Sequence, residues 1–179
     1  MNRFVERLYR EVHAVSPLAK VGVSPFGIWR PGNPTGIVGL DAFASIYADS
    51  RKWLQSGWVD YFAPQLYWSI ASSGQSFPAL LNWWGQQNTQ RRHLWPGLAS
   101  YRIGTGTSPY ANSEIASQIA LVRDATATAG GDISTCLAMA RCDCLASDAS
   151  ARSSARSRSS TSTSGLGGGE TSPSRANGG

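Results

Sequence analysis

Four short apolar segments of strand character recur at nearly even spacing within the first 134 residues. They begin near residues 20, 59, 94 and 132, so that successive starts lie 35–39 residues apart. A helical pattern of apolar residues precedes the first segment, and another lies between each pair of neighbours. Strands that alternate with helices form parallel sheets. The repeat therefore predicts an α/β fold with about four β/α units in residues 1–134.

The closure of this sheet is constrained by chain length and by the loops. The sequence has no Gly-rich phosphate-binding loop after its first strand, which disfavours a dinucleotide-binding sheet. A complete (β/α)₈ barrel needs about 250 residues, more than the 179 present. We therefore predict a partial TIM-type (β/α)₈ barrel, with a small doubly wound sheet as the alternative.

Two acidic residues have predicted structural roles. Asp41 is expected to cap one helix that continues to Leu54, because Asp is a favoured N-cap residue. The apolar face of that helix would contain Phe43, Ile46, Tyr47, Trp53 and Leu54. Asp60 opens the second strand, at the end of the sheet that supports stability in barrel proteins. We therefore predict that Asp60 is structural and not catalytic.

The composition changes sharply towards the carboxyl terminus. All 7 Trp, 6 Tyr and 5 Phe lie between Phe4 and Tyr110, whereas residues 135–179 are mostly Ser, Arg, Ala, Thr and Gly. Such a segment buries too little apolar surface to offset its ordering entropy, which predicts a disordered tail. The tail carries +2 of the net charge of +5, so the charge is a weak argument for a nucleic-acid partner, and none is predicted.

Several other classes of protein are disfavoured. The three cysteines, Cys136, Cys142 and Cys144, are too few for a structural zinc site with four ligands, so neither a metal nor a cofactor is predicted. The sequence has no stretch of about 18 apolar residues, so no membrane span is predicted. The segment 1–6 has no uninterrupted apolar run, so no signal peptide is predicted and the location of the chain stays open.

The predicted carboxyl ends of the strands collect aromatic and planar polar side chains. Ligands of parallel α/β folds bind at these ends. Aromatic rings stack on the apolar faces of sugars, while amide and guanidinium groups bond hydroxyls. The pattern predicts a carbohydrate site, with burial in the core as the alternative for the aromatic residues. Its residues are Trp29, Arg30, Gln65, Tyr67, Trp68, Tyr101 and Arg102, and strand alternation places Gln65 and Tyr67 on one face.

The acidic residues do not fit this site. Glycoside cleavage usually needs two carboxyl groups about 5–9.5 Å apart. None of the eight acidic residues before residue 134 is predicted to lie at the carboxyl end of a strand. We therefore predict no catalytic residue, and the sequence leaves open whether this chain is an enzyme.

Five segments resemble the glycosyl-hydrolase-like 10 family, which consists of bacterial barrel proteins of the cell envelope. The segments are Val21–Gly32, Asp49–Leu54, Gly57–Trp68, Leu80–Trp84 and Leu94–Leu98. The resemblance implies the carboxyl-terminal part of a barrel that acts on a polysaccharide or peptidoglycan-type glycan. The family's acidic Asp-Asp-Tyr motif, which would supply the carboxylates, is absent from this chain. The abrupt change after Ile133 resembles translation in a shifted reading frame.

These observations favour a glycoside hydrolase-like domain fragment that acts on, or binds, a bacterial glycan. A carbohydrate-binding module without catalysis and an inactive truncated gene product are the alternatives. A partial barrel leaves sheet edges and apolar faces without partners, which predicts self-association.

Overall fold

The computed structural model describes residues 1–106 and 109–129, so the predicted fourth strand at Asp132 and the tail at 135–179 lie outside the described residues. In the described part, helices alternate with short parallel strands. In chain order the elements are α1 Asn2–Val15, β1 Gly22–Val23, α2 Ala42–Ser45, α3 Ser50–Gln55, β2 Tyr61–Phe62, α4 Phe77–Gln87, β3 His93–Leu94, a 3₁₀ turn at Ser100–Arg102, and α5 Glu114–Ala129.

The three strands form one parallel sheet in the order β1-β2-β3. The register aligns Val23 with Phe62, and Phe62 with Leu94. Pairing resumes beyond the strands, where Gln65 bridges to Phe26 on one side and to Gly97 on the other. The structure thus confirms the α/β class and the parallel sheet, while the fourth unit and the barrel remain predictions.

One face of the sheet packs against the helices and forms the core. Phe62, Leu66 and Leu94 are fully buried there. The Trp84 side chain of α4 lies against them, with its ring 4.9 Å from that of Phe62. Its indole N–H donates to the carbonyl oxygen of Gly27 at 2.8 Å, so α4 is tied to the chain that follows β1.

The opposite face of the sheet carries a layer of aromatic rings. The Tyr61 ring stacks on Trp95 with centroids 4.8 Å apart, and the His93 ring is also stacked with Trp95, at 5.9 Å. Gly22 fits beneath the Tyr61 ring, where a Cβ atom would overlap it. Tyr61 and Trp95 are partly exposed and His93 is exposed, so the described residues leave this face partly uncovered.

The predicted single helix after Asp41 is wrong, although Asp41 does cap α2 by accepting from the Ala44 N–H at 2.9 Å. The helical chain breaks at Tyr47, which has φ of 55°, and restarts as α3. The break places Trp53 where its indole N–H donates to Asn2 Oδ1 at 2.7 Å. The predicted apolar face is therefore correct at two of its five residues: Trp53 and Leu54 are buried, whereas Phe43, Ile46 and Tyr47 are exposed. Among the described residues, none of the helices is long and apolar enough to cross a membrane.

Asp60 immediately precedes β2, at the amino end of the sheet, as the sequence predicts. Its residue surface is 8% exposed. The Oδ2 atom accepts from the Val21 N–H at 2.8 Å and lies 3.1 Å from His13 Nε2. The Tyr9 hydroxyl donates to Oδ1 at 3.5 Å, and Arg92 lies 3.9 Å away. One buried carboxylate thus joins α1, the start of β1 and the segment before β3.

Candidate functional site

Gln65 occupies the centre of the carboxyl edge of the sheet. Its backbone lies between those of Phe26 and Gly97. Its side-chain Nε2 donates to the Ser24 carbonyl oxygen at 3.1 Å and to the Ser24 hydroxyl at 3.4 Å. The planar amide is therefore fixed at the end of β1 and not in the helix layer.

Tyr67 and Tyr101 form a perpendicular ring pair beside Gln65. Their centroids are 6.3 Å apart and the rings meet at 88°. Tyr101 is 52% exposed, while Trp68 packs edge-on against Phe26 at 5.6 Å. Leu66 is buried and its two neighbours are only half-buried, which agrees with the expected alternation. We call Gln65, Tyr67, Trp68 and Tyr101 the carboxyl-edge cluster.

Arg102 supports this cluster through the backbone. Its Nη1 donates to the Tyr67 carbonyl oxygen at 3.0 Å. The guanidinium carbon lies 4.6 Å from the centroid of the Tyr110 ring, a cation–π contact. Burial raises the pKa of the Tyr110 phenol, so this hydroxyl stays protonated beside Arg102 at neutral pH.

The loop after β2 is also held by two α5 residues that the sequence analysis did not identify. Gln118 Nε2 donates to the Trp68 carbonyl oxygen at 3.1 Å, and Glu114 Oε1 accepts from the Ile70 N–H at 2.7 Å. Their spacing of four residues places Glu114 and Gln118 on one face of α5. This spacing was the only feature of the local sequence that pointed to the pair. The contacts themselves span 44 and 50 residues of sequence.

Trp29 and Arg30 belong to a second cluster, which is built on the helices. Trp29 stacks on Trp83 of α4 at 6.0 Å and packs edge-on against Phe43 of α2 at 5.8 Å. The Arg51 guanidinium lies 5.1 Å from the Trp29 ring. Arg30 lies 4.9 Å from the Phe43 ring. The seven predicted site residues therefore divide between the carboxyl-edge cluster with Arg102 and this helix-layer cluster.

Two carboxyl groups from helix N-termini contact the segments that follow β1 and β2. Asp41 follows β1, and the Ala44 N–H and the Arg30 guanidinium lower the pKa of its carboxyl group. An ionised cap of this kind is a poor proton donor. Glu114 contacts the loop after β2, where its Oε1 accepts two hydrogen bonds. Both carboxylates are thus engaged in structural contacts.

Metal ligation has no support in the part of the chain that the structure describes. No group of three or more His, Cys, Asp or Glu side chains is placed there to hold an ion. The three cysteines lie outside the described residues.

Comparison with known protein families shows which family this chain belongs to. A family model described as glycosyl hydrolase-like 10 matches residues 1–112, which is more than half of the sequence. The chain belongs to the glycosyl hydrolase-like 10 family. The matched region of this glycosyl hydrolase-like 10 protein includes all seven predicted site residues, whereas Glu114 and Gln118 lie beyond it.

Two curated relatives are similar to part of this chain. The protein named glycosyl hydrolase YngK from Bacillus subtilis (strain 168) is 37% identical over 115 residues, which are 61% of this chain and 22% of that protein. The protein named glycosyl hydrolase DigH from Escherichia coli (strain K12) is 33% identical over 107 residues, or 57% of this chain and 24% of that protein. The aligned region thus spans less than a quarter of either relative.

Proposed function

We propose that this chain binds a bacterial polysaccharide or a peptidoglycan-type glycan at its carboxyl-edge cluster. The observation that carries the proposal is the Tyr67–Tyr101 pair beside the fixed amide of Gln65. Perpendicular rings offer one face and one edge to a sugar, and the Oε1 atom of the Gln65 amide accepts from its hydroxyls. Family membership supports a carbohydrate ligand.

Each predicted residue has a role in this proposal. Tyr67, Trp68 and Tyr101 stack on sugar rings, and Gln65 bonds hydroxyl groups. Arg102 contributes mainly by holding Tyr67, because its Nη1 is bonded to the Tyr67 carbonyl oxygen. Trp29 and Arg30 form a flanking contact for a longer glycan from the helix-layer cluster.

We further propose that the chain binds glycan without cleaving it. Of the carboxylates near the carboxyl edge, Asp41 caps α2 and pairs with Arg30, and Glu114 accepts from Ile70 and Gln118. Cleavage needs one protonated and one ionised carboxyl group facing the same bond. The Asp41 carboxyl group is ionised and Glu114 already accepts two N–H groups, so this pair does not supply the acid that cleavage needs.

Replacement of Tyr101 by Ala should weaken glycan retention about tenfold, since an aromatic stacking contact contributes roughly 0.5–1.5 kcal/mol beyond the area that it buries. The measurement is a pull-down of the purified chain on insoluble bacterial cell-wall glycan over a range of protein concentrations. Tyr47→Asn is the matched control, because it removes an exposed tyrosine from a position with positive φ that Asn accepts. Equal retention of Tyr101→Ala and wild type would remove the carboxyl-edge cluster from the binding site.

We also propose that the chain self-associates through the aromatic face of its sheet. Tyr61 and Trp95 stack on that face and are partly exposed, and His93 beside them is exposed. Burial of such a layer against a second copy is favourable. Sedimentation velocity should show a dimer that Trp95→Lys converts to a monomer. A wild-type chain that stays monomeric at high concentration would refute this proposal.

A further inference from the structure

The loop that carries Tyr67 and Trp68 is held at three of its backbone groups by side chains from later in the sequence. Arg102 donates to the Tyr67 carbonyl oxygen at 3.0 Å. Gln118 donates to the Trp68 carbonyl oxygen at 3.1 Å, and Glu114 accepts from the Ile70 N–H at 2.7 Å. Contacts of this kind fix the direction of a loop through its backbone.

The two α5 residues act as one unit. Glu114 Oε1 also accepts from Gln118 Nε2 at 2.8 Å, so a single carboxylate oxygen joins the loop amide to the Gln118 amide. Gln118 is fully buried, and Ile115 and Val122 anchor the same helix in the core. The position of Glu114 is therefore set by the fold and not by the rotamer preferences of a free surface side chain.

We propose that Glu114 is a positioning residue for glycan binding, which acts with Gln118 to hold the loop at Tyr67–Ile70 so that the Tyr67 and Trp68 rings face the ligand. This inference rests on the proposed glycan-binding function. A preorganised loop avoids the ordering cost that a mobile one pays on binding. Both residues lie beyond residue 112, where the family match ends, so the edge of the matched region depends on a helix outside it.

The chemistry of the contact explains why a carboxylate suits this position. An ionised oxygen accepts two N–H groups at once and forms stronger bonds than a neutral acceptor. Removal of the side chain leaves the Ile70 N–H without its partner and frees one Gln118 donor. The loop then loses its restraint at Ile70 and is held less firmly at Trp68.

The test combines amide hydrogen exchange at Ile70 with the glycan pull-down, using the full chain and insoluble bacterial cell-wall glycan as the probe. Glu114→Ala should speed exchange at Ile70 by about tenfold or more, because a bond to a charged group is lost. The same variant should weaken retention about tenfold. Glu114→Gln keeps a carbonyl oxygen in place and should restore most of the protection from exchange at Ile70 and most of the glycan retention. Glu114→Asp withdraws the carboxylate by one methylene and should give intermediate values even if the Ala variant does not fold.

The control is Ser117→Ala, an exposed site on the same helix, which should change neither measurement. Unchanged Ile70 exchange in Glu114→Ala and Glu114→Asp would overturn the positioning role. Faster exchange with unchanged retention would overturn the link between loop and ligand while leaving glycan binding intact. A wild-type chain that is not retained refutes the proposed function, and with it the role in binding, whereas Ile70 exchange still decides whether Glu114 holds the loop.

Discussion

Asp60→Asn is expected to lower the free energy of unfolding by about 2 kcal/mol, since a buried carboxylate that accepts hydrogen bonds from several donors is replaced by a neutral amide. The carboxylate contacts His13 at 3.1 Å and the Val21 N–H at 2.8 Å, and Arg92 lies 3.9 Å away. Asparagine retains one acceptor but removes the charge opposite His13 and Arg92. Urea unfolding followed by circular dichroism measures the loss.

Glu11→Gln is the matched control for this variant. Glu11 pairs with Arg7 at 2.6 Å, but the two side chains are 62% and 77% exposed. A surface pair of this kind contributes little, so the control should change stability by at most about 0.5 kcal/mol. If Asp60→Asn were as mild as the control, Asp60 would not be the junction between α1 and the sheet. Glycan retention of folded Asp60→Asn should equal that of wild type, because Asp60 lies at the opposite end of the sheet from Gln65.

Periodicity in the sequence was sufficient to predict much of this fold. Apolar residues at helical spacing predicted a helix before the first strand-like segment and helices between the later ones, where α1, α4 and α5 lie, and the alternation of the two kinds of segment predicted the parallel sheet. These patterns succeed because each depends on which residues face the core. The Asp41 cap was also predictable, since it is a local contact between a side chain and an amide three residues later.

Features that depend on distant residues were not predictable in the same way. The break at Tyr47 accompanies a bond between Trp53 and Asn2, which are 51 residues apart. The role of Glu114 depends on Ile70, which no local pattern identifies. Trp29 was expected at the carboxyl edge, but its contacts with Phe43 and Trp83 come from two separate helices. Candidate site residues could therefore be proposed from their type and strand position, whereas their partners required the structure.

We also expect that the purified chain does not hydrolyse bacterial glycan. An acid or base in the active site is typically worth 10²–10⁴ in rate. Because the carboxylates that contact the loops after β1 and β2 in the described residues already have structural partners, we expect no release of reducing ends above background. The Asp41 carboxylate is held ionised by its cap and by Arg30, and the Glu114 carboxylate is occupied by two N–H donors. Asp60 is buried among polar partners, but it lies at the amino end of the sheet.

The most direct test of the account measures retention and cleavage on one sample. The purified chain is incubated with insoluble bacterial cell-wall glycan, after which bound protein and newly formed reducing ends are both quantified. We predict retention that falls in Trp68→Ala and Tyr101→Ala, with no release of reducing ends by wild type. Reducing ends released at an enzymatic rate and abolished by Gln65→Ala with Tyr67→Phe would contradict the account and make this chain a glycoside hydrolase in its own right.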